Sequence, residues 1–374
     1  MKRMKQCIKL LAVLCCMLLV VGCALQYPGP LGSTTMPSVS SSSTSSVPTQ
    51  PTTTKPLPVV EQVKLTFTGD CTLSRNHRMN YPGSFDHHYD LYGPDFFFQN
   101  VRHIFENDDL TVINLEGPLT TSTDAAKKQW LHKGRPEYIS ILTGSSIEVA
   151  YLGNNHRMDY GQSGNDETCQ LLDNAGIGYC YDHVYLIREV KGYKFGFVSV
   201  NQVYDKEKVM IWLEEGYDYL RKQGCDVVIA LVHWGTELAT APSDYQVEMG
   251  HELIDMGYDL VVGNHPHVLQ GIEYYNGKFI CYSLGNFSFG SNNNPKDKDT
   301  GLFQKTFTFV DGVLQIDTEM QFIPCSISGY EDHNNFSPVV KDGDEKLRVI
   351  EKMNGYGALM NFKMDANGKF IGLQ

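Results

Sequence analysis

From residue 61 to about residue 267 the chain alternates between two patterns of apolar positions. Short runs of apolar and β-branched residues, such as residues 226–233, are typical of strands that are covered on both faces. Between these runs lie segments whose apolar residues recur every three or four positions, as in an amphipathic helix. The pattern predicts strands at 63–69, 110–115, 148–153, 177–180, 193–200, 226–233 and 258–263, and helices at 96–107, 136–142, 164–174, 206–223 and 244–256.

From residue 268 onward the pattern changes to paired strands joined by tight turns. Asn276-Gly277 and Asp311-Gly312 are sequences that favour two-residue type I′ hairpins. They predict one strand pair at 272–275 and 278–283 and another at 306–310 and 313–320. A βαβα series followed by antiparallel strands favours an α/β fold in which two sheets pack together with helices outside.

The N-terminus has the pattern of an export signal. Four basic residues within positions 1–9 precede an apolar run from Leu10 to Val21, which is short for a membrane span. Small residues then lead to Cys23, an arrangement that a lipoprotein signal peptidase reads. We expect residues 1–23 to be a signal peptide ending at a lipidated Cys23. An uncleaved anchor helix with an incidental cysteine is the alternative.

A tether is expected after the signal. Residues 33–58 are nearly all Ser, Thr and Pro, so they have too little apolar surface to offset the entropy of ordering, and proline keeps such a segment extended. The sequence therefore predicts a disordered tether at 24–60, a globular domain at 61–340 and a C-terminal appendage at 341–374. The protein would be extracytoplasmic and lipid-anchored to the bacterial cell membrane.

The part of the chain beyond the tether is strongly acidic. The chain has a formal charge of −12, and because residues 1–60 contain five bases and no acid, the remainder stands near −17. This disfavours nucleic-acid binding, which depends on a basic surface. An anionic substrate would need local cations, which metal ions could supply. Six cysteines follow the signal without a Cys-x-x-Cys pair, and we expect buried free thiols, with Cys169 and Cys180 as the nearest candidates for a disulfide.

Polar residues recur where the predicted strands end. In open α/β sheets, ligands bind beyond the carboxyl ends of strands, so these positions are candidates for one common site. Five strand ends supply carboxylates, an amide and imidazoles: Asp70, Glu116, Asn155 with His156 and Asp159, His233, and His265 with His267.

This mixed set of nitrogen and oxygen donors suits manganese, iron or zinc. A bridging carboxylate would allow two ions roughly 3.5–4 Å apart, so we expect one or two divalent ions that hold a nucleophilic hydroxide. Each residue also has a structural explanation, since Asp70 could cap a turn and His233 could be a structural histidine. The remaining histidines lack this placement and are interpreted as surface or core residues: His77, His87, His88, His103, His132, His183, His251 and His333.

These blocks of residues resemble the CapA family of poly-γ-glutamate capsule synthesis proteins, within the calcineurin-like metallophosphatase superfamily. The resemblance runs from about Val63 to Gly290, or as far as Pro338. It rests on Thr68-Gly69-Asp70, Ile113-Asn114-Leu115-Glu116, Gly153-Asn154-Asn155-His156-x-x-Asp159-x-Gly161, His233-Trp234-Gly235-x-Glu237, Gly263-Asn264-His265-Pro266-His267-Val268-Leu269-Gln270 and Tyr282-Ser283-Leu284-Gly285-Asn286-Phe287.

The resemblance implies a four-layer α/β/β/α sandwich with metals at the strand ends. It implies that Asp70 and His267 bind one ion and that Asn155, His233 and His265 bind the other. Glu116 would take the place of the superfamily's bridging Asp, and His156 would be the general acid, oriented by Asp159. Two positions depart from the superfamily pattern: Thr72 stands where the Asp-x-His motif has His, and the bridge is Glu. Mononuclear or labile binding is therefore an alternative.

The functional hypothesis is a metal-dependent hydrolase or transferase of capsule or envelope polymer biosynthesis. Its expected partners are an anionic polymer or phosphoester substrate, the membrane through the lipid anchor, and membrane subunits of a capsule synthase. One alternative is an extracellular phosphatase or phosphodiesterase. Another is a non-catalytic component that binds the polymer for a membrane synthase.

Overall fold

The computed structural model describes residues 57–203, 206–356 and 361–373. The predicted signal peptide, the lipidated Cys23 and nearly all of the tether lie outside the described residues. The strands, numbered along the chain, are β1 Val60–Thr72, β2 Arg75–Asn76, β3 Leu110–Leu115, β4 His132–Lys133, β5 Val149–Tyr151, β6 Gly178–Cys180, β7 Leu186–Val190, β8 Tyr193–Asn201, β9 Val227–His233, β10 Leu260–Asn264, β11 Ile272–Tyr275, β12 Lys278–Cys281, β13 Asn286–Phe289, β14 Asp299–Val310, β15 Val313–Leu314, β16 Met320–Ser326, β17 Val339–Val340, β18 Phe362–Met364 and β19 Phe370–Leu373.

Two large sheets contain most of these strands. The first sheet has the order β17-β16-β14-β1-β3-β5-β6, with β13 also paired to β1 and β15 to β14. The second has the order β11-β12-β10-β9-β8-β7. The strands β1, β3, β5 and β6 are parallel, as are β8, β9, β10 and β12. In each sheet, the carboxyl ends of these parallel strands therefore lie along one edge.

Most of the helices cover the outer faces of the sheets. None of the helices within the described residues is long and apolar enough to cross a membrane. The helices of the described residues are α1 Phe85–Tyr92, α2 Arg102–Phe105, α3 Ile139–Thr143, α4 Gly161–Ala175, α5 Lys206–Lys222, α6 Asp244–Met256 and α7 Gly343–Asn354, with 3₁₀ turns at Pro94–Phe96 and Pro136–Tyr138.

Three buried hydrophobic clusters separate four layers. The central cluster joins the facing sides of the two sheets, for example Phe67 and Phe195. A second cluster joins the outer face of the first sheet to α1–α4, and a third joins the outer face of the second sheet to α5 and α6. Successive strand residues alternate between clusters, as Val112 and Ile113 do in β3. The expected α/β/β/α sandwich of the metallophosphatase type is thus confirmed.

The prediction of a helix at residues 96–107 is wrong. Only Arg102–Phe105 is α-helical there, after the 3₁₀ turn at Pro94–Phe96. Phe97 and Phe98 are both fully buried although they are adjacent, which a one-faced helix does not provide. The hydroxyl of Ser337 also donates to the Phe96 carbonyl at 2.8 Å, a carbonyl that a continuous helix would use internally.

The predicted hairpins form with their predicted turns. Asn276 and Gly277 have φ values of 47° and 84°, and Asp311 and Gly312 have 50° and 80°, as type I′ turns require. The segment predicted as one strand at 313–320 is instead split between β15 and β16.

The C-terminal segment, expected as an appendage at 341–374, forms α7 and the β18–β19 hairpin. Val349, Ile350 and Phe362 lie in the same buried cluster as Phe322 of β16, so the segment packs against the main body. The six described cysteines are free and buried, as expected for structural thiols.

Candidate metal centre

The site forms where the carboxyl ends of the parallel strands of both sheets meet. In the first sheet Asp70 lies beside Asn114, and in the second His233 lies beside Asn264. Asn264 joins the sheets, because its amide donates to the Tyr151 hydroxyl at 2.5 Å and to the Thr68 carbonyl at 3.2 Å. The strand ends predicted separately from the sequence therefore face one another.

A glycine at the end of β1 permits a close approach of two backbone segments. A Cβ atom on Gly69 would lie 2.2 Å from the Gly285 carbonyl oxygen, which is nearer than any side chain tolerates. The Asp70 amide donates to that same oxygen at 2.8 Å. This contact sets Asp70 beside Asn286 of β13, whose side-chain oxygen lies 2.9 Å from Nδ1 of His267.

One half of the site consists of Asp70, Glu116 and His267. Nδ1 of His267 lies 3.1 Å from Oδ2 of Asp70, and its Nε2 lies 3.8 Å from Oε1 of Glu116. Asp70 and Glu116 are almost completely buried. One ligand atom from each of the three residues lies within 4.8 Å of the others, close enough to share one cation.

The other half consists of Asn155, His233 and His265. Nε2 of His233 lies 3.0 Å from Oδ1 of Asn155 and 3.1 Å from Nδ1 of His265. Glu116 completes this half as well, since its Oε1 lies 3.6 Å from Nε2 of His233. One carboxylate oxygen thus stands between the two halves, where a bridging ligand would be.

The donors fit divalent ions. Oε1 of Glu116 is buried and has no hydrogen-bond partner among the described residues, and an unpaired buried carboxylate oxygen is costly without a cation. Burial raises the pKa of Glu116 to about 7. Burial lowers the pKa of His265 to about 4 and that of His233 well below its usual value. Both imidazoles are therefore neutral, the form that binds metals.

His267 carries a positive charge in the absence of an ion. Burial opposes its protonation, but the carboxylates of Glu116 and Asp70 raise the pKa of His267 to about 10. A divalent ion at this point would take over the charge and displace the proton. His265 and His267 also have φ values of 104° and 60°, which are unusual for residues with side chains and are concentrated at functional sites.

Next to the metal-ligand candidates lies a second group, the flanking triad of His156, Asp159 and Lys128. Oδ2 of Asp159 lies 2.7 Å from Nδ1 of His156, and Lys128 donates to Oδ1 at 2.6 Å. Since Asp159 also accepts from the His132 amide at 2.7 Å, it is the acceptor of the His156 contact. Nδ1 of His156 then carries the proton and Nε2 is left as the free ring nitrogen.

All eight site residues predicted beyond the tether lie in this region. Their roles as ligands or proton donors stay predictions. Cys23 lies outside the described residues.

The structure adds residues that the sequence reasoning missed. The amide of Asn114 donates to Asp70 at 2.7 Å and contacts His233 at 3.2 Å, and Asn154 in turn donates to Asn114. His132, which was interpreted as a surface or core histidine, is buried with its ring centroid 3.9 Å from that of His156. Asn114 and Asn154 each lie directly beside a predicted site residue, or are separated from one by a single residue, in the motifs that resemble the CapA family, and this position could have identified them. Nothing in the sequence marked His132.

A four-layer sandwich with carboxylates, amides and imidazoles converging at its strand ends defines a protein of the metallophosphatase-like fold. The family described as bacterial capsule synthesis protein PGA_cap matches residues 64–291. The chain belongs to this family, and the expected membership of the CapA family is confirmed.

Curated relatives match over part of their length. The PGA biosynthesis protein CapA of Bacillus subtilis (strain 168) is 32% identical over 223 residues, covering 53% of this chain and 57% of that protein. The capsule biosynthesis protein CapA of Bacillus anthracis is 27% identical over 270 residues, covering 65% and 64%. The chain thus spans about three fifths of these relatives. A solved structure of a hypothetical protein from Thermus thermophilus is 16% identical with a TM-score of 0.42, covering 70% of this chain and 98% of that one.

Proposed function

We propose that this protein is a lipid-anchored, metal-dependent enzyme that acts on the capsule or another envelope polymer, outside the cell membrane. The names of its relatives, which refer to PGA and capsule biosynthesis, support an anionic polymer of the poly-γ-glutamate kind as substrate. The reaction proposed is hydrolysis or transfer at an acyl or phosphoryl centre. The basic and apolar residues before Cys23 support the anchor.

The observation that carries the metal dependence is the buried, unpartnered Oε1 of Glu116. It lies between Nε2 of His233 and Nε2 of His267, at 3.6 and 3.8 Å. A hydrogen-bonding side chain could satisfy such an oxygen in a purely structural core, yet among the described residues none does. The imidazole of His233 is neutral, and that of His267 becomes so once an ion displaces its proton; imidazoles around a carboxylate are the donor set of borderline divalent metals.

Bound divalent ions would supply a water of lowered pKa as the nucleophile and would neutralise charge on the reacting oxygens. The chain itself holds and moves protons beside them. Asp159 fixes the orientation of the His156 ring, whose free Nε2 would accept a proton from the attacking water or hydroxyl group and pass it to the leaving group. Lys128 holds Asp159 by an ion pair and adds a positive charge next to an otherwise acidic body.

The first test is the metal content of the full-length chain, measured by mass spectrometry of the purified protein and of His265→Ala. We expect about one to two equivalents of a transition metal in the parent and a clear loss in the variant. Less than about one equivalent, unchanged by the substitution, would contradict the metal centre.

The second test concerns the reaction. Metal-dependent cleavage or transfer of poly-γ-glutamate, abolished by His233→Ala, would support the proposal. Turnover of simple phosphoesters alone would favour a phosphatase. If Asn155→Ala leaves capsule output in cells intact, the enzymatic role is wrong and a polymer-binding role replaces it.

A further inference from the structure

The half of the centre that contains Asp70 has one donor fewer than its superfamily pattern. Thr72 occupies the place of the expected histidine, and its hydroxyl donates to Oε2 of Glu116 at 2.6 Å. Thr72 therefore orients the carboxylate instead of offering a nitrogen to an ion. Asp70, Glu116 and His267 remain as donors, which leaves room for a further protein ligand in a centre of four to six donors.

Glu237 lies where such a ligand would be. One of its carboxylate oxygens is within 4.8 Å of a ring nitrogen of His265 and of one of His267, and these nitrogens are equally close to each other. The two histidines belong to different halves of the centre, so Glu237 spans both as Glu116 does. Unlike Glu116, it is exposed to solvent.

The backbone holds Glu237 toward the two histidines. The amide of Leu238 donates to the Pro266 carbonyl at 2.8 Å, which ties the loop after β9 to the turn between His265 and His267. Leu238 has a φ of 63°, a conformation that is strained for a branched side chain. Strained conformations of this kind persist where the surrounding contacts fix the backbone, and they are concentrated at functional sites.

No described residue forms a hydrogen bond or an ion pair with the Glu237 carboxylate. Water satisfies an exposed carboxylate of this kind, so Glu237 is free to bind a cation near the two histidines. The second observation is the buried Oε1 of Glu116, which is unpartnered and lies 3.8 Å from the same His267 ring. The carboxylates of Glu116 and Glu237 therefore both lie near the His267 ring, with Glu116 on its buried side and Glu237 on its solvent-exposed side.

We propose that Glu237 is a metal ligand on the solvent-facing side of the centre, where it supplies the donor that is lost with Thr72. This inference rests on the metal dependence proposed above. Because its side chain is exposed, Glu237 can bind and release the ion without disturbing the core. The buried ligands cannot do this.

The test is Mn²⁺ binding to the metal-stripped, full-length chain, measured by isothermal titration calorimetry for the parent, Glu237→Gln and Glu214→Gln. Glu214 is an exposed carboxylate on the outer helix α5, so its substitution removes the same charge away from the site. We expect Glu237→Gln to weaken one Mn²⁺ site by at least the roughly tenfold loss that follows removal of an outer-shell partner. Glu214→Gln should bind like the parent.

The outcomes separate this inference from the function on which it rests. If the parent binds Mn²⁺, His265→Ala loses it and Glu237→Gln matches the parent, Glu237 is no ligand and the metal-dependent function stands. If Glu237→Gln and Glu214→Gln weaken binding equally, the effect is one of net charge and the inference fails. If the parent binds no Mn²⁺, the ligand role of Glu237 and the metal-dependent function are both wrong. Thermal unfolding of the metal-free variants should match that of the parent, because neither side chain is buried.

Discussion

Replacing Glu116 by Gln should stabilise the metal-free protein and abolish its stabilisation by metal. Glu116 is fully buried, and burial raises its pKa from 4.5 to about 7. Each unit of pKa difference between the folded and unfolded states corresponds to about 1.4 kcal/mol. Ionised Glu116 therefore costs the metal-free fold about 3 kcal/mol, a cost that glutamine, which has nearly the same shape, does not incur.

The sign of this effect depends on pH. The folded state holds the Glu116 proton more tightly than the unfolded state does. The stability that this proton contributes to the fold is therefore fully present below pH 4.5 and is lost as the pH rises through about 7. We expect the metal-free parent and Glu116→Gln to have similar free energies of unfolding at pH 4.5. At pH 8 the variant should be the more stable protein, by up to about 3 kcal/mol, because it avoids the burial cost but also loses the pairing of Glu116 with protonated His267.

Metal should reverse this order. An ion at one thousand times its dissociation constant stabilises the parent by about 4.1 kcal/mol, which exceeds the deficit of about 3 kcal/mol at pH 8, and the variant should gain far less because it lacks the shared carboxylate. The assay is urea unfolding followed by circular dichroism, at both pH values, with a chelator or with Mn²⁺. A variant that is no more stable than the parent at pH 8 with chelator would refute the reasoning about burial. Equal stabilisation of both proteins by Mn²⁺ would refute the ligand role.

Asp108 provides the matched control. Burial also raises its pKa to about 7, and it belongs to none of the groups of described residues that could hold a metal. Asp108→Asn should therefore show the same pH dependence relative to the parent and an unchanged response to Mn²⁺. A loss of the metal response in this variant would show that the assay reports general stability.

Three further predictions follow from single contacts. Gly69→Ala places a methyl group 2.2 Å from the Gly285 carbonyl and should lower the free energy of unfolding in urea by about 3 kcal/mol; a loss below about 1 kcal/mol would contradict the close approach. Although burial raises the pKa of Asp299, the guanidinium of Arg348 helps to lower it overall. Arg348→Ala should therefore lower the free energy of unfolding by about 1–2 kcal/mol at pH 7, and this loss should shrink as the pH falls through the folded pKa of Asp299. A loss in urea unfolding that does not change with pH would contradict this prediction. Lys128→Met removes the cation of the flanking triad and should raise the KM for an anionic substrate about tenfold, and an unchanged KM in steady-state assays would exclude Lys128 from substrate binding.

The sequence could predict the site wherever a candidate ligand directly follows a buried strand. Asp70, Glu116 and His233 stand at the ends of apolar runs, and parallel pairing then brings those ends to one edge. The local pattern of apolar residues is sufficient to place these three residues at the strand ends, and only the distances between their side chains require the structure.

Residues whose position depends on tertiary pairing could not be predicted in this way. His132 reaches His156 because the two-residue strands β2 and β4 pair with each other, and two residues leave no periodic signal. The helix predicted at 96–107 failed for a related reason, since the Phe96 carbonyl is satisfied by Ser337 from a distant part of the chain. Long-range hydrogen bonds of this kind override local periodicity.

Thr72 and Glu116, the two residues that depart from the pattern implied by the resemblance, compensate each other physically. The hydroxyl of Thr72 holds Oε2 of Glu116 at 2.6 Å, which leaves Oε1 as the oxygen directed at His233 and His267. An aspartate at position 116 would be shorter by one C–C bond, about 1.5 Å, and could not keep both contacts. A histidine at position 72 would offer a nitrogen but would remove the donor that orients the carboxylate. The position of Oε1 therefore depends on both the length of the glutamate and the hydroxyl of the threonine. In the centre proposed above, Glu237, beyond the end of β9, would supply the donor that the threonine cannot.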